Sequence, residues 1–147
     1  MKNLRFYLSA AGVAAIDRLT KLLWGNSRQP LIPGVLALNA TRNSGMAFGW
    51  LPGGTFVLAV LSLAVCAGLI VWISRRPRGR LCQYGAGLLL GGALGNLIDR
   101  VALGYVIDFI DPVFLHWFVF NVADAGVTCG AALLLIYLLF GKEEKHS

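Results

Sequence analysis

An uncharged apolar run at 55–74, TFVLAVLSLAVCAGLIVWIS, limits the fold of this chain more than any other feature. An α-helix rises about 1.5 Å per residue, so this run matches the roughly 30 Å hydrocarbon core of a membrane. The rest of the 147 residues agrees: 57% are apolar, and 14% are charged where a soluble domain has about 25%. A water-soluble or disordered chain is therefore excluded, and a small membrane protein is predicted.

Three further segments have the length and hydropathy of spanning helices. They lie at 4–24, 82–99 and 118–140. The first has a rival interpretation as a secretory signal, because a basic start precedes a short apolar stretch at 6–16. Asp17 interrupts that stretch where cleavage would begin, and the apolar pattern resumes beyond it, which favours an uncleaved helix. We predict one all-α membrane domain, 1–147, with four transmembrane helices.

The basic residues predict how these helices are oriented. Eight of the 13 lysines and arginines fall in the termini and in the loop between the second and third spans: Lys2, Arg5, Arg75, Arg76, Arg78, Arg80, Lys142 and Lys145. Cytoplasmic loops are enriched in Lys and Arg, so both termini and the loop 75–81 are expected in the cytoplasm. The loops 25–54 and 100–117 then lie outside, and the first is expected to be non-helical or to form short strands.

Several classes of site are not supported by the residues present. Cys66, Cys82 and Cys129 lie in apolar runs without CxxC spacing, and His116 and His146 are isolated. Neither a metal site nor a disulfide framework is predicted from them. The net charge of +6 is assigned to membrane orientation rather than to nucleic-acid binding.

All five aspartates lie at or near the outer membrane boundary of this topology: Asp17, Asp99, Asp108, Asp111 and Asp124. An interfacial aspartate often caps a helix or faces water, and Asp111, before Pro112, is interpreted as a turn residue. Asp124 is placed about two turns into the last helix. An ionised aspartate at the centre of a spanning helix costs roughly 2.5–3.5 kcal/mol on insertion scales, so Asp124 is expected to face a polar cavity and a partner.

Helical spacing predicts polar faces on three helices, since residues three or four positions apart share a face. The sets are Asp17, Thr20 and Lys21; Asn96, Asp99 and Arg100; and Asn121 with Asp124. Lipid cannot satisfy these groups, so the faces should meet in a polar cluster that opens outwards. Two neighbouring carboxylates share a proton and can hydrolyse a peptide bond. Spacing alone favours Asp99 over Asp108 for such a pair.

Two other functions use the same residues. A proton-coupled transporter or relay subunit also buries aspartates, but a relay needs acids staggered across the bilayer. The inner halves of the four predicted spans contain none. A structural partner, whose polar faces only join helices, would tolerate Asp→Asn changes at 108 and 124, because an amide still forms hydrogen bonds.

Five short strings occur in order along the chain: DRLTK at 17–21, NSGMAFG at 43–49, GGALGNLIDR at 91–100, VIDFI at 106–110 and FNVAD at 120–124. Together they resemble the lipoprotein signal peptidase family, also called signal peptidase II. The resemblance implies an aspartyl endopeptidase of the bacterial inner membrane, with its site on the non-cytoplasmic side. Its expected reaction is removal of the signal peptide from diacylglyceryl-modified prolipoproteins, with the cut before the lipidated cysteine.

The resemblance also implies roles for individual residues. The catalytic pair falls on Asp108 and Asp124. Supporting or substrate-binding positions fall on Asn43, Asn96, Asp99, Arg100, Asn121, Asp17 and Lys21. No metal or other cofactor is implied, and the expected partners of a monomeric protein are the lipidated prolipoprotein and membrane lipids, with no nucleic acid. Arg18 departs from the family, which often has an uncharged polar residue there, and only 15 residues separate Asp108 from Asp124, so the outer loop is trimmed.

Overall fold

The computed structural model describes residues 3–45, 54–75 and 79–140. In chain order they form α1 (Leu4–Trp24), β1 (Arg28–Ile32), β2 (Leu36–Asn43), α2 (Thr55–Arg75), α3 (Arg80–Leu103), β3 (Val106–Pro112) and α4 (Val122–Phe140). The mostly helical fold is confirmed, and the loop after α1 contains two of the strands. Five of the basic residues used for orientation (Lys2, Arg76, Arg78, Lys142 and Lys145), His146 and the segment 46–49 of the second string lie outside the described residues.

Three of the helices are long and apolar enough to cross a membrane, namely α2, α3 and α4. Helix α1 occupies the predicted positions 4–24 but carries Asp17, Arg18 and Lys21. Its transmembrane placement, and with it the four-span topology, therefore stays a prediction.

Helix α3 lies at the centre of the bundle and packs against α1, α2 and α4. Its glycines permit this, because Gly91 lies against the backbone of Ala10 in α1 and Gly92 lies against the backbone of Ala123 in α4. A side chain at either position would push the neighbouring helix away. The apolar core around α3 includes Phe6 and Leu90, both buried.

A three-stranded antiparallel sheet, in the order β1-β2-β3, covers one end of the bundle. Strand β3 follows α3 after Gly104, whose left-handed backbone (φ 81°) turns the chain. The register of β2 and β3 pairs Asn43 with Val106 and Arg42 with Ile107. Successive residues of a strand point to opposite faces, so these two pairs present their side chains to opposite sides of the sheet.

Two local predictions were wrong. Helix α4 begins at Val122 rather than at 118, so Asp124 lies in its first turn instead of two turns inside. The reason is that Phe120 pairs with Ile110, each donating its backbone N–H to the other's carbonyl at 3.0 and 2.8 Å. Asp111 lies in β3 rather than in a turn and accepts a hydrogen bond from Asn39 Nδ2 at 3.1 Å.

Candidate active site

A cavity of about 280 Å³ lies where α3, α4 and the sheet meet. Its polar lining consists of Asn43, Asn96, Arg100, Asp108, Asp124 and Thr128, and its apolar lining of Val106, Phe118, Val119 and Val127. Two carboxylates, two amides and a guanidinium thus face one space with apolar walls. We refer to this space as the aspartate cavity.

The sheet positions the first carboxylate. Asp108 lies on β3 and is 3% exposed. Asn43, at the end of the neighbouring strand β2, donates its Nδ2 to Asp108 Oδ2 at 3.0 Å. The Gly45 N–H donates to Asn43 Oδ1 at 3.0 Å, so the orientation of this amide is determined by the backbone that follows it.

The start of α4 positions the second carboxylate. Asn121 precedes the helix, and its Oδ1 accepts from the Asp124 N–H at 2.9 Å, while Asp124 Oδ2 accepts from the Asn121 N–H at 3.1 Å. This reciprocal pair is a capping box, with aspartate in the place of the usual glutamate. One oxygen of Asp124 therefore caps the helix terminus, and the other points towards α3.

Asn121 also joins the two carboxylates. Because its oxygen is used by the cap, its Nδ2 points to β3 and donates to Asp108 Oδ1 at 2.7 Å. Asn96 of α3 completes the network, donating to Asp124 Oδ1 at 2.8 Å and accepting from Asn121 Nδ2 at 3.1 Å. Each carboxylate is thus held by two side-chain or backbone donors.

Four charged residues behind the aspartate cavity, Asp17, Arg18, Lys21 and Asp99, form an ion cluster. Lys21 Nζ lies 2.8 Å from Asp17 Oδ2 and 2.8 Å from Asp99 Oδ2, and Arg18 Nη1 lies 2.7 Å from Asp99 Oδ1. Asp17 and Asp99 are fully buried. Buried charges of this kind are tolerated only when they are paired.

The ion cluster also holds the backbone beside each cavity aspartate. Asp99 Oδ2 accepts from the Ile107 N–H at 3.1 Å, next to Asp108, and Asp17 Oδ1 accepts from the Ala123 N–H at 2.9 Å, next to Asp124. Lys21 Nζ donates to Asn96 Oδ1 at 3.3 Å. The ion cluster therefore supports the aspartate cavity without lining it.

Burial and charge alter the acidity of Asp108. Burial is the larger cause and the nearby Asp124 carboxylate the second; together they raise the pKa of Asp108 to about 7, against hydrogen bonds from Asn43 and Asn121 and the Lys21 charge. A carboxyl with such a pKa carries a proton in a substantial fraction of molecules at neutral pH. The aspartate cavity therefore provides a proton donor.

The structure divides the predicted site residues into two groups. Asn43, Asn96, Arg100, Asp108 and Asp124 line the aspartate cavity, and Asn121 contacts both aspartates. The other three, Asp17, Lys21 and Asp99, lie in the ion cluster. Spacing alone favoured Asp99 for the carboxylate pair, but Asp99 is not in the cavity lining.

Two contributing residues were not predicted. Arg18, which the sequence marked only as a departure from the family, shares Asp99 with Lys21 as an ion-pair partner. Thr128 lines the cavity four positions after Asp124, and the helical spacing used for the other faces is the signal that could have found it. Within the described ranges, no group of three or more His, Cys, Asp or Glu side chains is placed to hold a metal ion.

Comparison with known proteins decides the family. The family model described as Signal peptidase (SPase) II matches residues 9–140. The chain belongs to the signal peptidase II family. The resemblance predicted from the five strings is thereby confirmed, and the protein is a membrane peptidase.

Individual relatives match this chain over nearly its whole length. A lipoprotein signal peptidase of Halothermothrix orenii is 39% identical over 90% of this chain and 93% of its own length. A lipoprotein signal peptidase of Syntrophomonas wolfei is 41% identical over 98% of this chain and 99% of its own length. A solved structure described as a bacterial membrane enzyme, determined by the in meso method at 2.3 Å, has a TM-score of 0.84 and 32% identity, covering 97% of this chain and 93% of that one.

Proposed function

We propose that this protein is an aspartyl endopeptidase of the bacterial inner membrane that removes the signal peptide from diacylglyceryl-modified prolipoproteins and cuts before the lipidated cysteine. The name of its relatives, lipoprotein signal peptidase, supports the substrate class. The observation that carries the aspartyl mechanism is that Asp108 and Asp124 line one cavity and are both hydrogen-bonded to Asn121.

In the proposed reaction Asp108 starts protonated and Asp124 starts ionised. Asp124 takes a proton from a water molecule, whose oxygen attacks the scissile carbonyl carbon, while Asp108 gives its proton to the carbonyl oxygen. The tetrahedral intermediate then collapses. Asp124 passes the water's proton to the leaving nitrogen, the carbonyl oxygen returns its proton to Asp108, and the products are a carboxylic acid and an amine. The raised pKa of Asp108 suits it to the donor role.

The remaining cavity residues bind rather than react in this scheme. Arg100 keeps its charge and has five N–H donors, so it can hold a substrate carbonyl or offset carboxylate charge. The apolar wall of Phe118, Val119 and Val127 provides the surface for the signal helix and acyl chains, whose burial is worth about 0.8 kcal/mol per methylene.

The topology belongs to the same proposal. Helix α1 is the remaining one of the four spans. Its Asp17, Arg18 and Lys21 are paired in the ion cluster, while Leu8, Leu19 and Leu22 are exposed on its surface. Both termini are cytoplasmic, and the sheet and the aspartate cavity face the other side. The protein acts as a monomer that meets its lipidated substrate within the membrane.

A gel-shift assay with purified full-length protein tests this function. A diacylglyceryl-modified prolipoprotein is expected to be shortened, and its unlipidated form is not. Asp108→Asn and Asp124→Asn should each lower the rate by roughly 10²–10⁴-fold, the usual contribution of general acid–base catalysis, while remaining folded and inserted.

Asp111→Asn is the matched control, since Asp111 lies on the same strand and is bonded to Asn39 outside the cavity lining. It should cleave at nearly the wild-type rate. Near-normal turnover by Asp108→Asn or Asp124→Asn would refute the aspartyl assignment, and equal cleavage of the unlipidated substrate would refute the substrate class.

A further inference from the structure

A second and larger cavity, of about 560 Å³, lies on the other face of the sheet. Its lining includes Asn26, Arg28, Arg42, Tyr105 and Ile107 and shares no residue with the aspartate cavity. The strand register explains the separation, because Arg42 and Ile107 are paired while their neighbours Asn43 and Val106 line the aspartate cavity. We refer to this space as the arginine cavity.

The charge of the arginine cavity is positive and uncompensated. No carboxylate lines it, and in residues 3–45, 54–75 and 79–140 neither Arg28 nor Arg42 forms an ion pair. Of the two acids on β3, Asp108 follows Ile107 but lines the aspartate cavity, and Asp111 is bonded to Asn39. A site with two free guanidinium groups and no acid favours an anionic ligand.

The arginines are also unusual in their position. Of the five basic residues outside the predicted cytoplasmic segments, Arg18 and Lys21 belong to the ion cluster and Arg100 lines the aspartate cavity. Arg28 and Arg42 are the remaining two. On the topology proposed above they lie on the outer side, where basic residues are disfavoured by the positive-inside rule. Membrane orientation therefore does not explain why these two positions are basic.

The guanidinium group of Arg42 is held in an orientation that suits phosphate binding. Its guanidinium lies over the Tyr105 ring, 5.0 Å from the ring centroid. Stacking uses the flat face of the group and leaves its N–H donors free along the edges. Those edges match the geometry of phosphate oxygens, to which arginine binds with two parallel hydrogen bonds.

The level of the arginine cavity relative to the membrane indicates the source of the phosphate. Tyr105 follows the end of α3 at Leu103, and Asn26 follows the end of α1 at Trp24. Tyrosine and tryptophan at helix ends mark the level of lipid headgroups. We infer that Arg28 and Arg42 bind the phosphate of an anionic phospholipid headgroup in the arginine cavity, at a site separate from the peptidase reaction.

Binding of short-chain lipids to the purified full-length protein tests this inference independently of cleavage. Dioctanoyl phosphatidylglycerol should bind at least about tenfold more tightly than dioctanoyl phosphatidylcholine, dioctanoylglycerol or inorganic phosphate. The double variant Arg28→Gln/Arg42→Gln should bind phosphatidylglycerol at least about tenfold more weakly than the wild type. Arg75→Gln/Arg80→Gln removes the same charge at the opposite ends of helices and should bind it like the wild type.

Inorganic phosphate binding as tightly as phosphatidylglycerol would show a free-anion site and overturn the inference. Equal binding of phosphatidylcholine, or wild-type binding by Arg28→Gln/Arg42→Gln, would also overturn it. A photoactivatable phosphatidylglycerol provides a test on the unmodified protein that does not depend on how the variants fold. Crosslinks at 26–28, 42 or 105 support the site, and crosslinks confined to other segments refute it.

Discussion

Replacing Asp108 with asparagine should remove a pH-dependent penalty from the folded state. Burial and the Asp124 carboxylate raise the pKa of Asp108 from 3.8 to about 7. A tenfold change in acidity corresponds to about 1.4 kcal/mol, so ionising this side chain costs about 4 kcal/mol more in the folded protein than in the unfolded chain. Asparagine does not ionise, so the variant avoids this cost.

The sign follows from proton binding. Between about pH 4 and pH 7 the folded state keeps a proton on Asp108 that the unfolded chain has released, so the free energy of unfolding falls as pH rises. The stabilisation that the folded state gains from the proton on Asp108 is fully present below about pH 4 and is lost as pH rises through 7. In the variant, Asn43 and Asn121 both direct donors at the new amide, which adds a penalty that does not change with pH.

Thermal unfolding in detergent micelles between pH 5 and pH 8 measures this effect. The Tm of Asp108→Asn relative to wild type should rise by on the order of 10 °C across the range. Val106→Ala, a buried and non-titrating change on the same strand, should lower Tm by an amount independent of pH. Parallel curves for wild type and Asp108→Asn would refute the assignment of the raised pKa to Asp108.

Three other changes test the packing and the topology. Lys21→Met leaves Asp17 without an ion-pair partner and Asp99 with Arg18 alone, and it should lower the free energy of unfolding by roughly 3–5 kcal/mol; an unchanged Tm would contradict the ion pairs. Gly92→Ala drives a methyl group into the α4 backbone and should lower Tm, whereas Gly12→Ala, which has open space, should be neutral or stabilising by up to about 1 kcal/mol; equal Tm values would contradict the close approach. A single cysteine at Arg80 in a cysteine-free variant should resist an impermeant maleimide in intact cells, and labelling would show the opposite orientation.

Hydropathy was sufficient to place the helices but not all of their ends. The predicted 4–24 and 55–74 match α1 and α2 closely, because long apolar runs have few alternatives. The start of α4 was missed because Phe118 and Phe120 are as apolar as the helix. This segment is not helical because Phe120 pairs with Ile110 on β3, a contact that no local pattern contains.

Long-range contacts also decide between Asp99 and Asp108. Asp99 has the better helical spacing, yet Arg18 and Lys21, about 80 positions earlier in the chain, bind it in the ion cluster. Asp108 reaches the aspartate cavity through the register of β2 and β3. Local spacing predicted the polar faces of α3 and α4, and only the family motifs indicated which strand residue joins them.

The cleavage rates of Asp108→Asn, Asp124→Asn and the double variant, measured on one lipidated prolipoprotein, test most directly whether the two aspartates act as a unit. Residues that act together are not additive, so the double variant should be no slower than the slower single variant. Losses that multiply in the double variant, or a single variant that cleaves at nearly the wild-type rate, would contradict a shared role for Asp108 and Asp124.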